Sequence, residues 1–264
     1  MFRELNRRQS RSGRLGRAAT ECDTMSRDES FPSLTPLIAN LGGNVKDIGM
    51  SHSQSHQNAN ALFMQALGFV QAGLHHPAEQ ALQNVIALYE AQQETQAAAF
   101  ARMTLARVYA DQAKYAAARD VLQQVVEDAE ARQDTETLVR ALYEVGAVAE
   151  RMHDTTTARE IYTRVLQTAD NAGDRATAAL RLGALADAAG QRDEAIAFYR
   201  TAFEIFQAIE HDIGIARAAY ELARLLAEDN ITEARQFYEQ AHTLAEIWGD
   251  ETLLQALRDL PFQS

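Results

Sequence analysis

The chain has 264 residues, 47% of them hydrophobic, and a formal net charge of −12 at pH 7. This composition supplies enough apolar side chains for a sizeable core, and the single cysteine excludes an internal disulfide framework. No apolar run approaches about 20 residues, so the sequence predicts no membrane span, and we expect a cytoplasmic protein.

The first 56 residues differ in composition from the rest of the chain. They begin with six arginines that only Glu4 opposes, and a stretch containing Ser, Pro and Gly without helical periodicity follows; the arginines are Arg3, Arg7, Arg8, Arg11, Arg14 and Arg17. We predict a disordered, Arg-rich leader over residues 1–56. Two other interpretations stay open, an organellar transit peptide and a translation start at Met25 or Met50. A secretory signal is not indicated, because no apolar h-region follows.

The remainder of the chain repeats five times. Small residues recur at spacings of 40, 40, 37 and 40 residues, namely Ala66, Ala106, Gly146, Gly183 and Ala223. A second set follows 11 or 12 residues later in each unit: Ala78, Ala118, Ala158, Ala195 and Ala234. Each unit carries two apolar stripes of helical period, with small residues where two helices must approach closely. We therefore predict an all-α solenoid of about five antiparallel helix pairs over residues 57–260, with repeats at 57–94, 95–134, 135–173, 174–211 and 212–249 and a capping helix at 250–260.

Local signals predict where the helices begin. Four aspartates stand where first helices should open, so we expect each to be an N-cap; they are Asp134, Asp174, Asp212 and Asp250. Pro77 falls where the second helix of the first repeat should begin, a position that does not need its missing N–H. Trp248 precedes the capping helix, and we expect it to pack beneath that helix.

The order of these residues resembles the tetratricopeptide repeat. A small residue, an aromatic or aliphatic residue three positions on, a turn, and an alanine followed four residues later by Tyr or Leu recur in phase over roughly residues 57–260. The spacing near 40, with Gly173-Asp174 and Gly249-Asp250 at unit ends, is more similar to the longer-helix branch of that family. Departures are Gln65, where a large apolar residue is usual, and a unit one residue shorter at Asp229-Asn230.

The resemblance implies that the first helix of each pair lines a concave groove. Carried onto this sequence, the groove stripe consists of Phe100, Met103 and Arg107, then Arg140, Tyr143 and Ala147, then Thr177, Leu180 and Ala184, and finally Arg217, Tyr220 and Arg224. Arginine forks suit carboxylates, and Tyr and Met offer adaptable contact area. The stripe predicts binding of a protein or peptide with acidic and apolar anchor residues. The alternative is that the arginines pair internally with Glu144, Glu150, Glu221 and Glu228 while the aromatic residues complete helix packing.

No motif for catalysis, a cofactor or a metal is found in the sequence. The seven histidines lack metal-ligand spacing, Leu41-Gly42-Gly43-Asn44 lacks the spacing of a phosphate loop, and no nucleophile elbow is present. Beyond residue 54 the chain carries 17 basic against 31 acidic residues, which disfavours nucleic-acid binding by the array. We expect a non-catalytic interaction scaffold or adaptor. Two alternatives remain, a regulator whose array binds a short signalling peptide or small ligand, and an assembly or accessory factor for an enzyme complex.

Overall fold

The computed structural model describes residues 52–262, with side chains described from residue 57 onward. The predicted leader lies outside the described residues up to position 51, and helix α1 begins at His52, five residues before the predicted start of the array. Eleven helices follow one another through the described range. They are α1 (His52–Gln71), α2 (His75–Ala91), α3 (Thr95–Asp111), α4 (Tyr115–Arg132), α5 (Thr135–Arg151), α6 (Thr155–Thr168), α7 (Ala172–Ala188), α8 (Arg192–Ala208), α9 (Asp212–Leu226), α10 (Ile231–Trp248) and α11 (Glu251–Arg258).

Each helix packs on the helix before it and the helix after it, so the chain forms five consecutive pairs and a final short helix. The first helices of neighbouring pairs also contact each other, α3 with α5 and α7 with α9, whereas contacts between successive second helices are weaker or absent among residues 52–262. The predicted all-α solenoid with a capping helix is therefore confirmed. None of the helices in this range is long and apolar enough to cross a membrane.

A matched pair of side chains fills the space between the two helices of a repeat. In the third repeat a Cβ placed at Gly146 would lie 2.7 Å from the ring of Tyr162, and in the fourth a Cβ at Gly183 would lie 2.7 Å from the ring of Tyr199. The equivalent positions of the first two repeats hold alanine with leucine, Ala66 with Leu82 and Ala106 with Leu122, all fully buried. Across these four repeats glycine with a buried tyrosine replaces alanine with leucine, because the space between the helices is limited. The fifth repeat holds Ala223 and a partly buried Tyr238 at these positions.

The turns inside the first four pairs contain one residue in the left-handed backbone conformation. Gly73 and Gly190 supply it with φ of +69° and +73°, and Ala113 and His153 adopt φ of +57° at the corresponding points of the second and third repeats. An L side chain is strained in this region, whereas glycine is not. The two non-glycine turns therefore carry backbone strain that packing elsewhere in the array offsets.

Two of the four predicted aspartate caps are confirmed. Asp134 accepts a hydrogen bond from the Thr137 N–H at 3.0 Å, and Asp250 accepts one from the Leu253 N–H at 2.9 Å. Partial burial raises the pKa of Asp134, but the hydrogen bonds from Thr137 outweigh burial and hold that pKa below its ordinary value. Pro77 is the third residue of α2, in the first turn, as predicted.

The other two predicted caps are wrong. Helix α7 begins at Ala172, and Asn171 caps it by accepting from the Gly173 N–H at 2.7 Å, so Asp174 already lies inside the first turn. Helix α9 begins at Asp212, and Nδ1 of His211 accepts from the Gly214 N–H at 3.0 Å. Asparagine is as good an N-cap as aspartate, and the position of the preceding turn decides which side chain reaches the free N–H groups.

The predicted position of Trp248 is also wrong. Helix α11 is held by Leu253 and Leu257, which are buried in one cluster with Ala241 and Ala245 of α10. Trp248 is the last residue of α10, and 58% of it is exposed. Gly249 caps the C-terminal end of α10, and its φ of +66° turns the chain before α11 begins. The leucines of α11 already cover the buried face of α10.

Candidate functional site

The surface predicted to bind a partner lies on the first helices, α3, α5, α7 and α9. We call this surface the first-helix face and define it by Arg107, Arg140, Tyr143, Leu180, Arg217, Tyr220 and Arg224, all of them half-buried. Direct contacts join α3 to α5 and α7 to α9, and the hydroxyl of Tyr143 links α5 to α7, so these residues follow one another in a row along successive first helices. The row combines guanidinium groups with aromatic and aliphatic side chains, and its arginines have carboxylates close by.

The second repeat contributes less to this face than the sequence predicted. Met103 is only 4% exposed and belongs to the core cluster of α3, α4 and α5, so its prediction as a groove residue is corrected. Phe100 is half-buried, and its ring packs edge-on against Phe63 of α1 at 5.6 Å between centroids. The direct contact between α3 and α5 covers the side of α3 that carries Met103, which explains the difference.

Arg107 is held by a carboxylate of the next repeat. Its Nη2 atom donates to Oε1 of Glu144 at 2.7 Å, and its Nε atom donates to Oε2 at 3.4 Å. The Arg107 side chain keeps 41% of its surface exposed, whereas Glu144 keeps 15%. This pair links α3 to α5 and leaves an outer edge of the guanidinium accessible to solvent.

Arg224 is held more firmly than Arg107. Its guanidinium donates to Oε2 of Glu221 at 2.9 Å and to Oδ2 of Asp187 at 2.6 Å, which joins α9 to α7. Burial lowers the pKa of Arg224, but the carboxylates of Glu221 and Asp187 outweigh burial and raise that pKa above its ordinary value. The prediction that Glu221 pairs with this arginine is confirmed, and Asp187 is a further partner that the sequence did not single out.

Arg140 is in a more open position. It forms an ion pair with Glu136 one turn earlier in α5, and their side chains are 42% and 70% exposed. A pair this exposed stabilises the fold by about 0.3–0.5 kcal/mol at most. Its guanidinium can therefore turn toward another carboxylate at little cost in stability.

The tyrosines on this face are partly structural. The hydroxyl of Tyr143 donates to the main-chain carbonyl of Asp174 in α7, and its ring lies 6.0 Å from that of Tyr162 between centroids. Tyr220 and Leu180 also pack against neighbouring core clusters while keeping part of their surface exposed. The aromatic residues therefore complete helix packing, as the alternative interpretation expected, and also present their outer edges on the face.

Partial burial also acts on a carboxylate beside this face. Burial raises the pKa of Asp174, while the positive charge of Arg140 lowers it, and the net result is a raised pKa. Because burial makes the ionised form of Asp174 less stable, a positive charge placed nearby stabilises that form. Arg140 is thus the cation that both Glu136 and Asp174 share.

Two ion pairs that link neighbouring first helices have the same spacing in the sequence. Arg107 pairs with Glu144, and Asp187 pairs with Arg224, in both cases across 37 residues. Opposite charges 37 residues apart, three positions short of the 40-residue spacing of these repeats, are therefore the signal for these links. Of the other predicted partners, Glu150 lies 3.9 Å from Arg181 and Glu228 lies 3.9 Å from Arg192, neither of them an arginine of the first-helix face.

Comparison with known proteins agrees with this architecture. Residues 137–208 and 174–247 match the family model described as tetratricopeptide repeat. A search of curated proteins returns no match. Among solved structures, the apo form of RapI superposes with a TM-score of 0.68 at 13% identity, covering 79% of this chain and 58% of RapI.

Two further solved structures are similar to this chain. A Rap protein complexed with competence and sporulation factor superposes with a TM-score of 0.60 at 15% identity, covering 80% of this chain and 59% of that protein. A putative kinesin light chain from Podospora anserina with nearly identical TPR-like repeats gives a TM-score of 0.57 at 19% identity, covering 72% of this chain and 96% of that one. This chain thus spans less than two thirds of the two Rap proteins. The family match over residues 137–247 and the paired helices of residues 52–262 together show that the chain contains tetratricopeptide repeats.

Proposed function

We infer that the array is a non-catalytic scaffold that binds a peptide segment of a partner protein along the first-helix face. The observation that carries this proposal is the row of half-exposed arginines and aromatic residues contributed by successive first helices. Tetratricopeptide arrays as a class present such extended surfaces because each repeat contacts only its neighbours. The partner segment is expected to carry carboxylates beside apolar residues.

The arginines of the row differ in how much they can contribute to a partner. Arg224 already satisfies two carboxylates, so a partner carboxylate there would have to displace Glu221 or Asp187. Arg140 forms one ion pair, with the exposed Glu136, and its charge also acts on Asp174, while 42% of its side-chain surface is exposed. A charge-assisted hydrogen bond to a shielded carboxylate contributes about 1.5–3 kcal/mol, and Arg140 is the residue best placed to make one.

The test is selection of binding peptides from a random display library, followed by titration of a selected peptide. Arg140→Glu should weaken binding by at least about tenfold, which corresponds to 1.4 kcal/mol. The matched control is Arg119→Glu, which makes the same charge change at an exposed position on the second helix α4 and should leave the affinity unchanged. Equal loss in both variants, or no loss in either, would contradict the proposal.

A second candidate function is regulation by a short signalling peptide. The specific support is the similarity to a Rap protein whose structure was solved with competence and sporulation factor bound. The two candidates differ in the length of the segment that suffices for binding. If a selected peptide keeps full affinity when trimmed to a few residues, the regulator is favoured; if trimming abolishes binding in steps along the array, the scaffold is favoured.

A further inference from the structure

An apolar patch at the C-terminal end of the array has no role in the functions proposed above. It consists of Ile209, Ile213, Ile247 and Trp248, which are 40%, 42%, 68% and 58% exposed. Ile209 follows the last residue of α8, Ile213 lies in the first turn of α9, and the end of α10 carries the last two. We call these four residues the terminal patch. Nε1 of Trp248 donates to Oδ2 of Asp212 at 3.3 Å, which brings the two segments together.

The fold does not require apolar residues at these positions. Counted from the small residues that all repeats share, Ile213 corresponds to Gln96 and Glu136 in the first helices of earlier repeats. Trp248 corresponds in the same way to Gln92 and Arg132 at the ends of earlier second helices. The early repeats thus keep the same edge polar and still pack. Exposed apolar side chains that a fold does not need mark interaction surfaces.

The surroundings of the terminal patch are acidic. Glu210 and Asp212 flank its isoleucines in the chain, and Glu246 precedes Ile247 directly. An open groove of about 460 Å³ lies between α9 and α10, and its lining residues include Asp212, Ile215, Glu239 and Leu244. An apolar side chain can enter this groove while a cation meets the carboxylates at its rim.

The exposed indole adds a second way to hold a cation. Lys and Arg side chains are attracted to the face of a Trp ring, by about 0.5–1 kcal/mol at exposed sites. Here the ring edge is already fixed by its hydrogen bond to Asp212, so the indole and a carboxylate lie side by side. Tryptophan is also among the residues that most often dominate binding energy at interfaces.

We propose that the terminal patch is a second docking surface, and that it binds a positively charged partner segment carrying an apolar anchor. Apolar side chains of the segment cover Ile247 and Trp248 and enter the groove beside Asp212, and flanking Lys or Arg side chains contact the indole of Trp248 and the carboxylates of Asp212, Glu239 and Glu246. The terminal patch thus prefers a positively charged segment, whereas the first-helix face, with its arginines, is expected to prefer a negatively charged one. The two surfaces can therefore hold different segments at the same time.

The chain offers a direct reporter, because Trp248 is its only tryptophan. The probe is a fluorescein-labelled peptide of sequence LKKLLKKLLKKL, compared with LEELLEELLEEL and with SKKSSKKSSKKS. The Leu–Lys peptide should bind the full chain and shift the Trp248 emission, while the Glu peptide and the peptide without leucine should bind at least about tenfold more weakly. Equal binding of the Ser–Lys peptide would overturn the proposal, since it would show general attraction to an acidic protein.

Matched substitutions then locate the site. Ile247→Ser and Trp248→Ala should each weaken the anisotropy signal of the Leu–Lys peptide by at least about tenfold. Ile231→Ser changes an isoleucine that is 50% exposed at the other end of α10 and should leave the affinity unchanged. Equal affinity of Ile247→Ser and wild type would overturn the proposal. So would sedimentation showing that the wild type self-associates and Trp248→Ala does not, which would assign the patch to a second copy of the chain.

Discussion

The close approach of Gly146 to Tyr162 allows a stringent test of how the repeats pack. A Cβ at position 146 would lie 2.7 Å from Cε1 and Cζ of Tyr162, whereas carbon atoms in ordinary contact are about 3.5–4.0 Å apart. The ring would have to move by about 1 Å, and Tyr162 is fully buried. Overpacking of this kind costs about 1–3 kcal/mol, while alanine in place of glycine inside a helix gains about 1 kcal/mol.

Gly146→Ala should therefore lower the free energy of unfolding by about 1 kcal/mol in the wild-type background. With Tyr162→Leu the same change recreates the alanine and leucine of the first two repeats, and Gly146→Ala should then raise the free energy by about 1 kcal/mol. The coupling energy of the double-mutant cycle is thus about 2 kcal/mol, within the range for residues in direct contact. The sign reversal, rather than either single value, is the diagnostic result.

The assay is urea unfolding followed by circular dichroism at 222 nm, with hydrogen exchange of the α5 and α6 amides as a local measurement because repeat arrays can unfold in parts. Gly68→Ala is the control, since Gly68 lies in α1 and nothing lies within 4 Å of a Cβ there; it should stabilise by about 1 kcal/mol in either background. If Gly146→Ala has the same effect with Tyr162 and with Leu at that position, packing against the ring does not explain the glycine.

Three further predictions concern a turn, a cap and an ion pair. Ala113→Gly should raise the free energy of unfolding by about 1 kcal/mol, because φ is +57° there. Ala197→Gly, at an exposed position in the interior of α8, should lower it by about 1 kcal/mol; urea unfolding that gave both the same sign would contradict the strain argument. Asp134→Ala should cost about 1 kcal/mol at pH 7. Burial raises the pKa of Asp134, but hydrogen bonds and the charge of Arg132 lower it by more, so its folded-state pKa lies below its unfolded-state pKa. The stabilisation by this carboxylate is therefore present above the unfolded-state pKa and is lost as pH falls through the folded-state pKa. Thermal melts should show the wild type and Asp134→Ala converging in acid, and a constant difference in Tm would contradict this reasoning. Arg224→Gln should destabilise by about 1–2 kcal/mol, because it leaves two carboxylates without their cation, whereas Arg140→Gln should cost less than about 0.5 kcal/mol; equal losses in urea unfolding would refute this distinction.

Most of the architecture could be predicted because repetition makes one local pattern appear five times. A small residue such as Ala106 means little alone, but five of them in phase predict a helix pair and its stacking direction. The helix starts were less predictable. Asp174 and Asp212 have the right side chains for a cap, yet the turn that precedes each helix ends earlier and puts Asn171 and His211 in the capping position.

For the candidate site, the sequence could predict only which residues lie on the same side of each first helix. Spacing along one helix places Met103 and Arg107 on the same side, but it does not say how far the next first helix overlaps that side. In the structure α5 covers Met103 and supplies Glu144 to Arg107. Contacts between repeats depend on the angle between successive pairs, and no single repeat encodes that angle.

The exposure of Trp248 could not be predicted from its residue type alone. A lone tryptophan beside a capping helix is most often buried by it, and the sequence offers no local sign that Leu253 and Leu257 fill that space first. The equivalent positions of the first two repeats hold the polar residues Gln92 and Arg132, which indicates that this position is exposed. Comparing equivalent positions across repeats is therefore more informative than judging a residue by its type.

The central claim is that a partner peptide binds along the first helices of the array. Hydrogen exchange measured by mass spectrometry, with and without a selected peptide, tests it most directly. We predict slower exchange in α5, α7 and α9 on binding, and a smaller change in the second helices α4, α6 and α8. Protection confined to the second helices, or spread equally over both sets, would contradict the claim.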